Sequence, residues 1–241
     1  MKKYQAETRA TRQNQLLAAL PSAQLEQWLT QLEPVELSLG QVLCESGSSS
    51  EYVYFPTTAI VSLLYLTLEG DSTEIAVVGR DGVVGISHFM GGNATPSRSV
   101  VQSAGRAYRL RAQTLKNALG HAGPVLTLLL RYTQALMTQV AQTATCNRHH
   151  SIDQLLRRRL LLGLDRLPSQ ALVMTQELLA NLLGVRREGI TAAALKLQRA
   201  GVIRYSRGHI SVLDRMRLEQ GLGGATCISK TTHGRRLTLA V

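Results

Sequence analysis

The segment that most constrains this chain runs from Thr175 to Leu213. Thr175 is a good helix N-cap, and Glu177 suits the positive end of a helix in its first turn. Ala180 is small enough for a second helix to cross it closely. Gly184, four residues later, can take the left-handed conformation that ends one helix and turns sharply into the next. Ile190 then points back into the shared core, and Ala193 and Leu197 extend that face. A small residue, a glycine and an apolar residue at these offsets meet the mechanical requirement of a helix-turn-helix. The second helix exposes Arg186, Arg187, Glu188 and Thr191 near its N-terminus. That end enters a major groove, where such side chains reach base edges or phosphates.

The stretch from Val202 to Leu213 strengthens this reading. Ile203 and Tyr205 alternate, as do Ile210 and Val212, with Arg207-Gly208 between them. The pattern predicts a β-hairpin with an arginine at or near its tip, a wing beside the recognition helix. Charge points the same way. Residues 1–150 carry 12 basic and 10 acidic side chains, net +2, whereas residues 151–241 carry 15 and 6, net +9. A basic module on a near-neutral one suits a polyanion partner.

Upstream the pattern differs. Residues 12–33 repeat leucines three and four apart, which predicts helix, with Pro21-Ser22 opening a second one. From Pro34 to about Leu115 short Val-, Ile- and Tyr-rich runs alternate with glycine turns; examples are Val53–Phe55, Ala59–Leu66, Glu74–Val78, Ser99–Gln102 and Ala107–Leu110. That spacing predicts an antiparallel sandwich or barrel. Pro124 opens a long helix without proline or glycine. Leu126, Leu129, Thr133, Leu136 and Val140 recur at alternating steps of three and four, a seam suited to self-association, and Leu130 and Met137 form a second apolar row. An ordinary core helix is the competing reading. Ser151 is expected to cap a further helix that Pro168-Ser169 stops. The run Arg157-Arg158-Arg159 within it reads as a solvated face before it reads as a DNA contact.

In this order of elements the chain resembles the Crp/Fnr family of bacterial transcription regulators, over residues 30–215. The resemblance is most specific at Leu183-Gly184-Val185-Arg186-Arg187-Glu188 and Gly201-Val202-Ile203. It implies an α+β chain with an N-terminal jelly-roll (double-stranded β-helix) sensor at 1–120 and a dimerisation helix at 121–150. A winged helix-turn-helix DNA-binding domain at 151–216 and a tail of unassigned role at 217–241 would follow. It implies a cytoplasmic homodimer on double-stranded DNA, with RNA polymerase as a further partner. By the family pattern Arg187 and Glu188 read base edges, and Thr191 on the same exposed face is expected to read a base as well. The family's third base-reading position falls on Ala192, which neither donates nor accepts. Thr175, Gln176, Arg186 and Arg207 would contact phosphates, which positions the protein without specifying sequence.

The family's cyclic-nucleotide site has a Gly-Glu pair and then Arg-Ser or Arg-Thr. Here Gly85 precedes Ile86, and only Arg98-Ser99 matches. Isoleucine cannot accept from a ribose hydroxyl, and an unpaired hydroxyl costs about 1–3 kcal/mol. A pocket at Gly85, Arg98 and Ser99 is therefore expected to take an unidentified small effector other than cyclic AMP, if any, or Arg98 to make a structural ion pair. No cofactor is expected. Cys44, Cys146 and Cys227 form no cluster, and His88 stands alone, which disfavours iron–sulfur, haem and cupin-type metal chemistry. No nucleophile triad, phosphate loop or paired-carboxylate motif suggests an enzyme. No apolar run approaches the roughly 20 residues of a membrane span. A ligand sensor whose winged module binds protein is the alternative to DNA binding.

Overall fold

The computed structural model describes residues 9–69, 72–92, 94–119, 123–167 and 171–222. The tail from residue 223, with Cys227, and the Pro168-Ser169 stop lie outside the described residues. Two compact units are present: Met1–Tyr65 with Val77–Met137, and Leu66–Ala76 with Thr138–Val241.

The first unit includes helices α1 (Gln15–Ala18) and α2 (Ser22–Leu29) ahead of its strands. The continuous helical pattern is interrupted because Asn14 and Pro21 each start a new helix. Asn14 is fully buried and fully used. Its Oδ1 accepts from the Leu16 and Leu17 amides, and its Nδ2 donates to the Pro56 and Gly82 carbonyls. A buried amide satisfied on both ends ties the N-terminal helix to the strands.

Seven strands lie between Glu33 and Arg111, of which β5 up to Ala76 is grouped with the second unit: β1 (Glu33–Leu37), β2 (Val42–Cys44), β3 (Tyr52–Pro56), β4 (Ile60–Leu66), β5 (Ser72–Val78), β6 (Arg98–Ser103) and β7 (Gly105–Arg111). They form sheets of order β1-β7-β3 and β2-β6-β4-β5, with the β1–β7, β3–β7, β2–β6 and β4–β6 pairs antiparallel. Two such sheets bury their apolar faces on each other, the sandwich logic of a jelly roll. Trp28, Phe55, Ile60, Leu110 and Leu115 are essentially inaccessible, and the Trp28 and Phe55 rings lie 6.3 Å apart. A helix, α3 (Ala112–Leu119), stands where the β pattern was expected to continue to Leu115; its Ala112 and Leu115 are buried.

The long helix α4 (Pro124–His149) has 26 residues, about 39 Å at 1.5 Å per residue. Thr133 and Thr143 bond back to the carbonyls of Leu129 and Gln139, which lets threonine sit inside a helix.

In the second unit, α5 (Ile152–Arg166) starts with a capping box between Ser151 and Gln154. Strand β8 (Ala171–Val173), helices α6 (Gln176–Leu183) and α7 (Arg187–Arg199), strands β9 (Ile203–Ser206) and β10 (His209–Val212) and helix α8 (Arg215–Gln220) complete it. The small sheet has order β8-β10-β9, both pairs antiparallel.

Candidate nucleic-acid interface

Helix α6 is capped by the Thr175 hydroxyl, which accepts from the Leu178 amide at 3.1 Å. Gly184 ends it at φ +63°, and the Val185 amide closes onto the Ala180 carbonyl at 3.0 Å. That left-handed residue launches α7 across α6. Ala180, Ile190, Ala193 and Leu197 are all buried, as the offsets predict, whereas Arg186, Arg187, Glu188, Thr191 and Ala192 are exposed. Fixing one face of α7 in the core fixes the opposite face outward.

The hairpin tip is Arg207-Gly208, at φ +48° and +80°. Positive φ at both central residues is the type I′ hairpin turn, and it leaves the Arg207 side chain exposed. The wing is tied to the start of α6. The Met174 amide donates to the Gly208 carbonyl at 2.7 Å, and the Tyr205 hydroxyl donates to the Met174 carbonyl at 2.8 Å. Strand β8 completes the wing's sheet. Three residues carry too little alternation for the sequence reading to find it.

Between α7 and the wing lies a cleft of about 330 Å³, lined by Gln176, Arg187, Thr191, Tyr205 and Arg207 among others. Burial raises the Tyr205 phenol above its ordinary pKa, and the nearby Arg187 charge partly offsets this. Five of the predicted contact residues, Thr175, Gln176, Arg187, Thr191 and Arg207, thus line one concave face. Thr191 is not a free donor. Its hydroxyl donates to Gln176 Oε1 at 2.7 Å, with the Arg187 carbonyl at 3.0 Å as a second acceptor.

Arg157, Arg158 and Arg159 are not a solvated face. All three are buried. Arg157 binds Asp153 and the Arg217 carbonyl, Arg158 the Thr143 hydroxyl, and Arg159 the Glu74 carboxylate. Each guanidinium has a structural task, which removes the run from any DNA surface.

The long-helix seam also differs in orientation. Leu129, Thr133 and Leu136 are buried by the chain itself, and Leu126 and Val140 are half-buried. Leu130 and Met137, seven residues apart, are the large apolar side chains of this helix that stand exposed. The expected dimerisation seam is therefore core over Leu129–Leu136, and the second row faces out.

In the first unit, Gly85 has φ +104° and opens a 3₁₀ turn, Ile86–His88. A Cβ on it would press on Val53 at 3.1 Å. Arg98 Nε pairs with Glu45 at 3.0 Å, partly exposed, and Ser99 is buried in β6 opposite Cys44 and Leu63. His88 is buried, and desolvation holds its pKa below the ordinary value, with Lys116 adding to the effect. Among the described residues no cluster of His, Cys, Asp and Glu could hold a metal ion. No described helix is long and apolar enough to cross a membrane.

Two family models match the chain: a cyclic nucleotide-binding domain at residues 34–121 and a Crp-like helix-turn-helix domain at residues 155–220. No curated protein sequence matches it. Among solved structures it is similar to FixK2 from Bradyrhizobium japonicum, at 17% identity and TM-score 0.68, covering 78% of this chain and 96% of that one. TTHB099, a CRP-family transcriptional regulator from Thermus thermophilus, gives 18% and 0.64, with 78% and 96% covered. The c-di-GMP-responsive global regulator CLP from Xanthomonas campestris gives 14% and 0.62, with 80% and 99% covered. At these identities the structures speak to the fold. The chain thus carries a cyclic nucleotide-binding domain followed by a Crp-like helix-turn-helix domain, in the fold that Crp/Fnr-family transcription regulators share.

Proposed function

We propose that this chain is a homodimeric, sequence-specific DNA-binding regulator with no catalytic activity of its own. The observation that carries the reading is the cationic end of α7, with Arg186 and Arg187 exposed beside the wing-tip Arg207 over a buried Ile190–Leu197 face. Arg187 and Glu188 read base edges, Arg187 most simply on guanine and Glu188 on a cytosine amino group. Thr175, Gln176, Arg186 and Arg207 grip the phosphate backbone. Leu130 and Met137 seat a second copy along the long helix. RNA polymerase is a further partner in the cytoplasm.

The first unit receives the signal. Ile86 in place of a ribose-binding glutamate, and the engagement of Arg98 with Glu45, argue for an effector other than cyclic AMP, held near Gly85, Arg98 and Ser99. Signal passes as a shift between two arrangements of the DNA modules, biased by the ligand's differential affinity for them.

Titration with duplex DNA at two salt concentrations tests the reading. Affinity should fall steeply with salt because phosphate contacts release counterions. Arg207→Ala should weaken unrelated duplexes equally and reduce the salt slope by about one. Salt-insensitive or absent duplex binding would favour a protein-binding winged module instead.

A further inference from the structure

We propose that Thr191 is a positioning residue for Gln176: it orients the glutamine amide toward the DNA backbone and does not itself read a base. The inference rests on the DNA-binding reading above and narrows its base-reading set to Arg187 and Glu188.

Thr191 lies on the exposed face of α7, and Gln176 is the first residue of α6. The Thr191 hydroxyl sits 2.7 Å from Gln176 Oε1 and 3.0 Å from the Arg187 carbonyl oxygen. Both neighbours are acceptors, and a threonine hydroxyl has one proton. The shorter contact is an ordinary O–H···O length, so the proton is committed inside the protein. To donate to a base edge, Thr191 would have to break a bond it already makes.

The consequence falls on Gln176. A glutamine amide has unlike ends, one accepting and one donating twice. With Oε1 held by Thr191, the NH₂ group is the end left for a partner. It stands in the first turn of α6, where the Thr175 hydroxyl takes up the Leu178 amide, the amides before it have no intrahelical acceptor, and the helix dipole is positive. Neutral donors at a helix N-terminus suit a phosphate oxygen. The flipped amide would present its oxygen there and repel the same phosphate. Both residues line the cleft beside Arg187 and Arg207, so the oriented amide faces the surface the DNA would occupy. Thr191 thus acts on backbone affinity, through a contact fifteen residues away in sequence.

Fluorescence anisotropy of the full-length protein on two duplexes of unrelated sequence tests this. Thr191→Val keeps the shape and removes the proton. It should weaken both duplexes by the same factor, about threefold to tenfold, as should Gln176→Ala. The double variant should be no weaker than Gln176→Ala alone, and Thr191→Ser should bind as wild type. Losses that multiply in the double variant, or a Thr191→Val preference that shifts between the duplexes, would overturn the proposal. NMR of the free protein supplies a second readout. The Gln176 side-chain NH₂ resonances should move in Thr191→Val and not in Thr191→Ser; if they stay put in Thr191→Val, the orienting bond does not exist. Should wild type ignore duplex DNA while those resonances move as expected, the DNA-binding reading has failed and the hydrogen bond has not.

Discussion

Arg159 of α5 and Glu74 of β5 form a buried ion pair, Nε to Oε1 at 3.0 Å and Nη2 to Oε2 at 3.3 Å, with side chains 1% and 7% exposed. They are 85 residues apart in sequence, and the pair sits inside the unit that joins Leu66–Ala76 to the C-terminal half. Burial pushes the Arg159 guanidinium below its ordinary pKa, and Glu74 opposes that shift. Removing one partner leaves a charge in a dry site, at a cost of about 3–5 kcal/mol. Glu74→Ala is expected to lose that much in urea unfolding. The double variant Glu74→Leu/Arg159→Met should recover most of it. A Glu74→Ala loss under about 1 kcal/mol would show that the pair is not a fixed element of the fold.

Gly184 has φ +63°, and the nearest atom to a Cβ built there is Thr73 Oγ1 at 3.5 Å, an ordinary contact. The cost of a side chain is therefore conformational and not steric. Gly184→Ala should destabilise by about 1–2 kcal/mol, and Gly184→Asn by less, since asparagine tolerates the left-handed region. Thermal unfolding of the three proteins checks the order. Equal losses for both variants would mean that the turn is not held at positive φ.

His88 gives the first unit a pH dependence. Its pKa is lowered in the fold, mainly by desolvation. Above about 6.5 the ring is neutral in both states and costs nothing. As pH falls below that value the unfolded chain takes the proton and the folded chain resists it, so stability declines toward the lower, folded pKa. The melting temperature should fall as the pH drops below about 6.5, and His88→Gln should flatten that fall. An unchanged profile in the variant would place the titration elsewhere.

Leu130 and Met137 are 54% and 64% exposed, whereas Leu129 and Leu136 are 2% and 6% exposed. In the proposed homodimer this row is the interface, so Leu130→Glu/Met137→Glu should give a folded monomer in sedimentation velocity where the wild type sediments as a dimer. Leu129→Ala should instead unfold more easily, by about 2–5 kcal/mol, because it leaves a core cavity. A variant pair carrying both glutamates that remains dimeric would move the interface to another face.

The helix-turn-helix was legible because its constraints are local. Ala180, Gly184 and Ile190 span a short stretch, and each offset has one mechanical reading. The hairpin was legible for the same reason, through Ile203, Tyr205, Ile210 and Val212. The fate of Arg157, Arg158 and Arg159 was not. Three successive arginines look solvated until their partners are known, and Glu74 and Arg217 lie 85 and 60 residues away. The long helix carries two apolar rows, and periodicity alone cannot say which one the chain buries. Thr191 was placed correctly on the exposed face, but its bond to Gln176 depends on how two helices cross.

The most direct test of the account is selection of bound sites from a random-sequence duplex library, by wild type and by Arg187→Ala. A symmetric pair of recognition helices predicts an enriched inverted repeat, with half-sites about one turn, roughly 34 Å, apart. Arg187→Ala should keep the spacing and lose preference at one base pair per half-site, a loss of about 1–3 kcal/mol. Enrichment of no sequence, of single half-sites or direct repeats, or of the same repeat undiminished in Arg187→Ala, would contradict it.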